Sequence, residues 1–166
     1  MIALFLLALP AFAGALNEGI LGRSWGSPPR PEDTTVCSLL VDTSLDRMAS
    51  VVCPETLGNV RLSVNFMYLD NALYGAILEA QGQAHCRELR EIAGAAWGPG
   101  FPAHRLLTGP MDNWFWGYPA GKKPDYTAGF TWDRVLTCRL IVSEGNASVR
   151  ASALLKAAKA EAAKGL

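Results

Sequence analysis

The chain has 166 residues, half of them hydrophobic and 18% charged, and its fifteen basic and fifteen acidic side chains cancel to a net charge of zero. That balance argues against a nucleic-acid partner, which would need cationic side chains lined up against phosphates. The length suits one ordinary domain, large enough to bury roughly two thirds of its unfolded surface without a metal to hold it together.

Met1 to Leu16 carries no charged side chain and ends its apolar core in a small-x-small signature, Ala11-Phe12-Ala13. A membrane-spanning helix needs about 20 apolar residues, whereas this run is broken by Pro10 and gives way to Asn17 and Glu18. Residues 1–13 therefore read as an export signal, although no Lys or Arg precedes the apolar core. The expectation is a secreted or periplasmic protein that meets the membrane only through that signal.

Residues 14–35 are rich in Gly and Pro, with the run Ser27-Pro28-Pro29-Arg30-Pro31, and predict an extended arm that Leu21 and Trp25 can pin to the body. Residues 36–166 read as a single α+β domain. Val36 to Val41 and Met48 to Cys53 are β-rich, and from Val60 to Leu69 apolar and polar residues alternate as in a half-buried strand. Asp70-Asn71 supplies residues that tolerate positive φ, so a hairpin returns through Leu73 to Glu79. From Gln83 to Trp97 the period lengthens: Cys86, Leu89, Ile92, Ala93, Ala96 and Trp97 share one helical face. Gly98-Pro99-Gly100 stops this helix, and Phe101 to Pro110 reads as a loop. Further strands are expected at Asn113 to Trp116, Tyr126 to Trp132 and Val135 to Val142, then at Ala147 to Arg150 beyond a turn at Glu144-Gly145-Asn146. Ser152 to Ala163 closes the chain as an Ala- and Lys-rich helix with a modest stripe of Leu154, Leu155, Ala158 and Ala162. The order predicts an α+β fold: an antiparallel sheet of hairpin, helix and meander, covered by one main helix, with a C-terminal helix.

Cys37, Cys53, Cys86 and Cys138 form an even set with no Cys-x-x-Cys spacing, and His85 and His104 complete no zinc pattern. Two disulfides are expected in an oxidising compartment. Cys37 and Cys53 bracket two strands able to lie antiparallel, while Cys86 falls on the buried stripe of the helix and Cys138 within a late strand. The predicted pairs are Cys37 with Cys53 and Cys86 with Cys138, with neither metal nor cofactor.

No motif specifies a reaction. The nucleophile elbow Gly-x-Ser-x-Gly is missing from the sequence. Asp42 and Asp46 belong to a turn, and Asp112 and Asp133 flank strands, positions where Asp usually caps. His85 reads as a first-turn residue and His104, beside Arg105, as a loop residue. Asn146-Ala147-Ser148 is formally a glycosylation triplet on a turn.

The aromatic run Trp114-Phe115-Trp116-Gly117-Tyr118 is the most suggestive segment. Alternation sends Trp114 and Trp116 to one side and Phe115 to the other. Exposed rings would make a platform of Phe101, Trp114, Trp116 and Tyr118 for a peptide, a glycan or an envelope protein. In that case Trp116→Ala weakens binding and spares stability, and a large loss of stability instead marks the ring as core. The function read from the sequence is thus a non-catalytic binding or accessory protein of the cell envelope. Its alternatives are a secreted hydrolase, built around the loop with His104, and an inhibitor of an extracellular enzyme.

Overall fold

Strand formation is cleanest where the alternation is strictest. Val60, Leu62, Val64, Phe66 and Tyr68 are all buried, while Asp70 and Asn71 take φ of 53° and 63° to reverse the chain. Few side chains accept that backbone, and Asp and Asn are among them.

The computed structural model describes residues 16–41, 47–102, 112–117, 126–133 and 136–163. The elements in chain order are β1 (Gly19–Ile20), β2 (Arg23–Ser24), α1 (Asp33–Val36), β3 (Ser38–Val41), β4 (Met48–Leu57), β5 (Val60–Leu69) and β6 (Ala72–Gln81). They continue with α2 (Gln83–Trp97), β7 (Phe101–Pro102), β8 (Asp112–Trp116), β9 (Tyr126–Trp132), β10 (Thr137–Glu144) and α3 (Gly145–Ala163). Among the described residues, eight strands make one sheet in the order β3-β4-β5-β6-β10-β9-β8-β7, and β1 pairs with β2 apart from it. All pairings are antiparallel, so two meanders meet along a seam between β6 and β10, where Gln81 faces Thr137 and Gly75 faces Ser143. This is the expected α+β architecture. β4 runs past Cys53 to Leu57, and its Pro54 lies beyond Val52, where pairing with β3 has ended, so it breaks no ladder with β3.

One face of the sheet is covered along its length. Toward Val60, Leu78 and Cys138 it is covered by α2, whose buried residues are Cys86, Leu89 and Ala93. Toward Cys53, Phe66 and Tyr68 the cover is the N-terminal segment, through Leu16, Ile20, Leu21 and Trp25. Trp25 donates from Nε1 to the Leu16 carbonyl (2.9 Å) and stacks on Tyr126, and Gly26 and Ser27 exchange backbone hydrogen bonds with Leu73. The pair β1–β2 and the single turn α1 give this segment a local order that its Gly and Pro content did not indicate. Val36, expected in a strand, is the last residue of α1.

A buried ion pair fixes that segment. The Arg23 guanidinium binds both oxygens of Asp33 (2.6 and 2.7 Å), donates to the Tyr68 hydroxyl (3.3 Å) and lies 3.9 Å from the centre of the Phe66 ring. Asp33 also accepts the Arg30 N–H (2.9 Å). Both predicted disulfides are present, Cys37–Cys53 beside this pair and Cys86–Cys138 between α2 and β10. In the loop-closure account, bonds spanning 16 and 52 residues stabilise by about 3 and about 4 kcal/mol.

The C-terminal region departs from expectation. Residues Ala147 to Arg150 are not a strand but the opening of α3, which starts at Gly145. The Glu144 carboxylate accepts the backbone N–H groups of Asn146 and Ala147 (2.9 and 2.6 Å), capping a helix start where a turn was read. Ala147 and Ala151 then pack against Leu69 and Tyr74, on the face of the sheet opposite α2. Among the described residues no helix is long and apolar enough to cross a membrane.

Removing one member of a buried ion pair strands the other charge, so Asp33→Ala should lower unfolding free energy by about 3–5 kcal/mol, read by urea titration. The Arg23 hydrogen bonds hold the Asp33 carboxyl below its ordinary range, against a burial effect of the opposite sign. A depressed carboxyl stabilises the fold above its unfolded value and loses that contribution as pH falls through the folded one. Wild-type stability should therefore fall away below about pH 4, and Asp33→Ala should flatten that fall.

Candidate binding surface

Because side chains alternate along strands, the residues between the covered positions all point to the second face. Along its middle, register places Val52 opposite Asn65, Asn65 opposite Ile77, Ile77 opposite Ile141 and Ile141 opposite Gly129. Gly129 faces Phe115, and Phe115 faces Phe101 on the edge. Ile141 is 41% and Phe101 60% exposed, and Val52, Asn65, Ile77 and Phe115 are half-buried. A Cβ on Gly129 would sit 3.1 Å from Cε1 of Phe115, so this ring lies directly over bare backbone. The result is a mainly apolar row crossing seven strands, with no helix of the described residues over Ile141.

A polar row borders it. Ser63 faces Glu79, Glu79 faces Arg139, Arg139 faces Thr131 and Thr131 faces Asn113. Arg139 Nε donates to Glu79 Oε2 at 2.7 Å, a solvated pair of small energetic weight. Shallow clefts flank Glu79. One, of about 300 Å³, is lined by Arg61, Ser63, Gln81 and His85; the other, of about 320 Å³, by Thr131, Asp133, Thr137 and Arg139. On the opposite border α3 covers Met67, Leu69 and Tyr74 through Ala147, Ala151 and Leu154.

Two amides on this face are unusual. The Oδ1 atoms of Asn65, in the apolar row, and of the buried Asn113, in the polar row, have no hydrogen-bond partner. A buried acceptor left without a donor costs about 1–3 kcal/mol, and both oxygens are sealed from solvent, so that cost is carried within the fold.

Of the four rings singled out from the sequence, the three that are described do not come together. Phe101 lies on the open face, whereas Trp114 and Trp116 point to the covered one, where Arg90 stands 5.4 Å from the Trp114 ring. Trp116 is 3% exposed, meets Trp97 edge to face, and donates from Nε1 to the Gly98 carbonyl (2.8 Å). It is a core residue. Gly100 passes so close that a Cβ there would approach Cε2 of Trp116 to 2.9 Å. Tyr118, His104, Asp42 and Asp46 lie outside the described residues. His85 is half-buried at the rim of the first cleft. Asp133 caps the turn into β10, its Oδ1 accepting the N–H groups of Leu136 and Thr137 (2.9 and 3.0 Å).

Sequence reasoning missed Ile77, Ile141, Phe115 and the two asparagines. Their signal was the alternation itself: every second residue of a strand with one covered face must lie on the other. Asp33, Cys37 and Cys53 hold potential ligand atoms within 4.8 Å of one another, the geometry of a metal cluster. Here the two sulfurs are bonded together and the carboxylate is taken by Arg23, so the group holds the fold.

No protein-family model, curated protein or solved structure matches the chain.

Since the Trp116 ring is core, Trp116→Ala should cost about 3–5 kcal/mol, and Trp116→Phe, which removes the bond to Gly98, about 1 kcal/mol. Phe101→Ala should shift stability by no more than about 0.5 kcal/mol. Urea unfolding of the three variants separates these outcomes.

Proposed function

We propose that the protein is an exported, non-catalytic binding protein of the cell envelope that takes an extended segment of another protein across the open face of its sheet. The observation that carries this reading is the apolar row through Val52, Ile77, Ile141 and Phe115 to Phe101, which no helix of the described residues covers. Aliphatic and phenyl side chains in a row accept apolar side chains, whereas a glycan surface needs rings set for stacking against sugars. Glu79 and Arg139 give the polar rim that such interfaces carry.

Binding is favoured over hydrolysis by the state of the carboxylates. Glu79 and Asp133 share a cleft, but the first is engaged by Arg139 and the second caps a turn. Export is supported by the apolar segment ending at Ala13 and by two disulfides, bonds that persist in oxidising compartments.

Two measurements test the reading. A photo-crosslinking residue at position 141 should give a discrete adduct with an envelope protein, absent when the same residue replaces the exposed Glu91 on α2 and lost when Phe101→Glu is added. Equal labelling at positions 141 and 91, or none at 141, overturns the surface assignment. N-terminal sequencing of the exported protein should start at Gly14, and an intact Met1 overturns export by cleavage.

A further inference from the structure

We propose that Cys37–Cys53 is an exchange-competent disulfide, opened in the folded protein by attack of a thiol on Cys37 Sγ, while Cys86–Cys138 is inert. The two bonds have opposite surroundings. Cys86 and Cys138 are 0% and 1% exposed, and both sulfurs lie 3.7 Å from the Ala80 carbonyl oxygen inside the core. Cys37 is half-buried between exposed Val36 and exposed Ser38, at the start of the edge strand β3, and its partner Cys53 is 1% exposed. Thiol–disulfide exchange needs access to the sulfur under attack. Of the four sulfurs, Cys37 belongs to the residue that solvent reaches.

The leaving group follows from that direction. Attack on Cys37 expels Cys53 as a thiolate, and the Arg23 guanidinium stands beside it, with Nη2 4.0 Å from Cys53 Sγ. A neighbouring cation lowers a thiol's pKa, and a leaving thiol of lower pKa departs faster. Asp33 Oδ1 lies 3.9 Å from Cys37 Sγ and is bonded to Arg23, so pairing weakens both the repulsion Asp33 offers an incoming thiolate and the pull Arg23 exerts on Cys53; the direction left is that the cation side of the pair faces the leaving sulfur. After opening, this carboxylate can accept the S–H of Cys37.

The co-reactant is a dithiol. Its first thiolate forms a bond to Cys37 Sγ as the Cys37–Cys53 bond breaks, and the electron pair goes to Cys53. Its second thiol, losing a proton, attacks its own sulfur in the mixed disulfide and releases Cys37. The reductant becomes a disulfide, and the protein gains two electrons and two protons. A monothiol has no second thiol of its own, so its adduct on Cys37 lasts until another thiol or the Cys53 thiolate displaces it, and Cys37 is the site at which a small thiol would be trapped.

The test is differential reduction of the native protein. Folded protein is exposed to graded dithiothreitol, quenched with an alkylating agent at intervals and peptide-mapped, with circular dichroism recorded throughout. Cys37 and Cys53 should be labelled at least about tenfold faster than Cys86 and Cys138 while the spectrum stays native, and glutathione should add to Cys37. Labelling of all four at one rate that tracks loss of the spectrum, or glutathione on Cys53, overturns the proposal. The double variant Arg23→Met with Asp33→Leu removes both charges without stranding one. It should open about three- to tenfold more slowly, and an unchanged rate overturns the part given to Arg23. If that variant does not fold, the wild-type comparison alone decides the selectivity.

Discussion

An eight-stranded sheet with strands about 4.8 Å apart is roughly 34 Å wide, and a fifteen-residue helix is about 22 Å long. The apolar face formed by the inward positions of β4, β5, β6, β8, β9 and β10 therefore exceeds what α2 can cover. Much of the remaining structure answers that mismatch. The N-terminal segment folds back over Phe66 and Tyr68, although it has few apolar residues of its own beyond Leu16, Ile20, Leu21 and Trp25. A segment so poor in core residues cannot hold its place by burial alone, and the Arg23–Asp33 pair and the adjacent disulfide tie it down.

The ion pair is placed to be worth more than its surface counterparts. Arg47 with Asp70 and Arg139 with Glu79 have comparably short contacts but stand in solvent, where screening and side-chain entropy offset most of the attraction. Arg23 instead has a ring beneath it and a hydroxyl and a carboxylate around it, so two of its three nitrogens find partners while Nε does not. That orphaned N–H is part of the cost of putting a guanidinium in the core. Among the described residues the helix on the second face is α3, and it keeps to the corner around Leu69 and Tyr74. The two faces of the sheet are thus covered unequally by the described helices and N-terminal segment.

The sequence made the strictly periodic parts legible. The β5–β6 hairpin, α2 with its stop at Gly98, the antiparallel α+β class and both cysteine pairs follow from spacing and turn chemistry. The losses have physical causes. Arg23 and Asp33 lie in a Gly- and Pro-rich stretch without periodicity, and a charged pair there gives no sign that it is buried. At Glu144-Gly145-Asn146 the residues suit a turn and a helix start equally, and the choice was made by packing of Ala147 and Ala151 on Tyr74, a contact between distant parts of the chain. For the aromatic run, alternation correctly separated Phe115 from Trp114 and Trp116. Which side would be covered depended on α2, which puts Trp97 against Trp116. The open face was present in the pattern all along, as the complement of the core.

The seam between β6 and β10 has a kinetic meaning. Each meander is built from neighbours in sequence, so each can form by local closure, but Gln81 and Thr137 are separated along the chain by α2 and three further strands. Closing so long a loop carries an entropic cost before any ladder bond offsets it. Until then β6 presents a bare edge containing Ala76, Ile77 and Leu78, the kind of strand to which another nascent chain can add. The time spent in that half-assembled state, more than the final stability, would set how much of the protein is lost to aggregation when many copies fold at once.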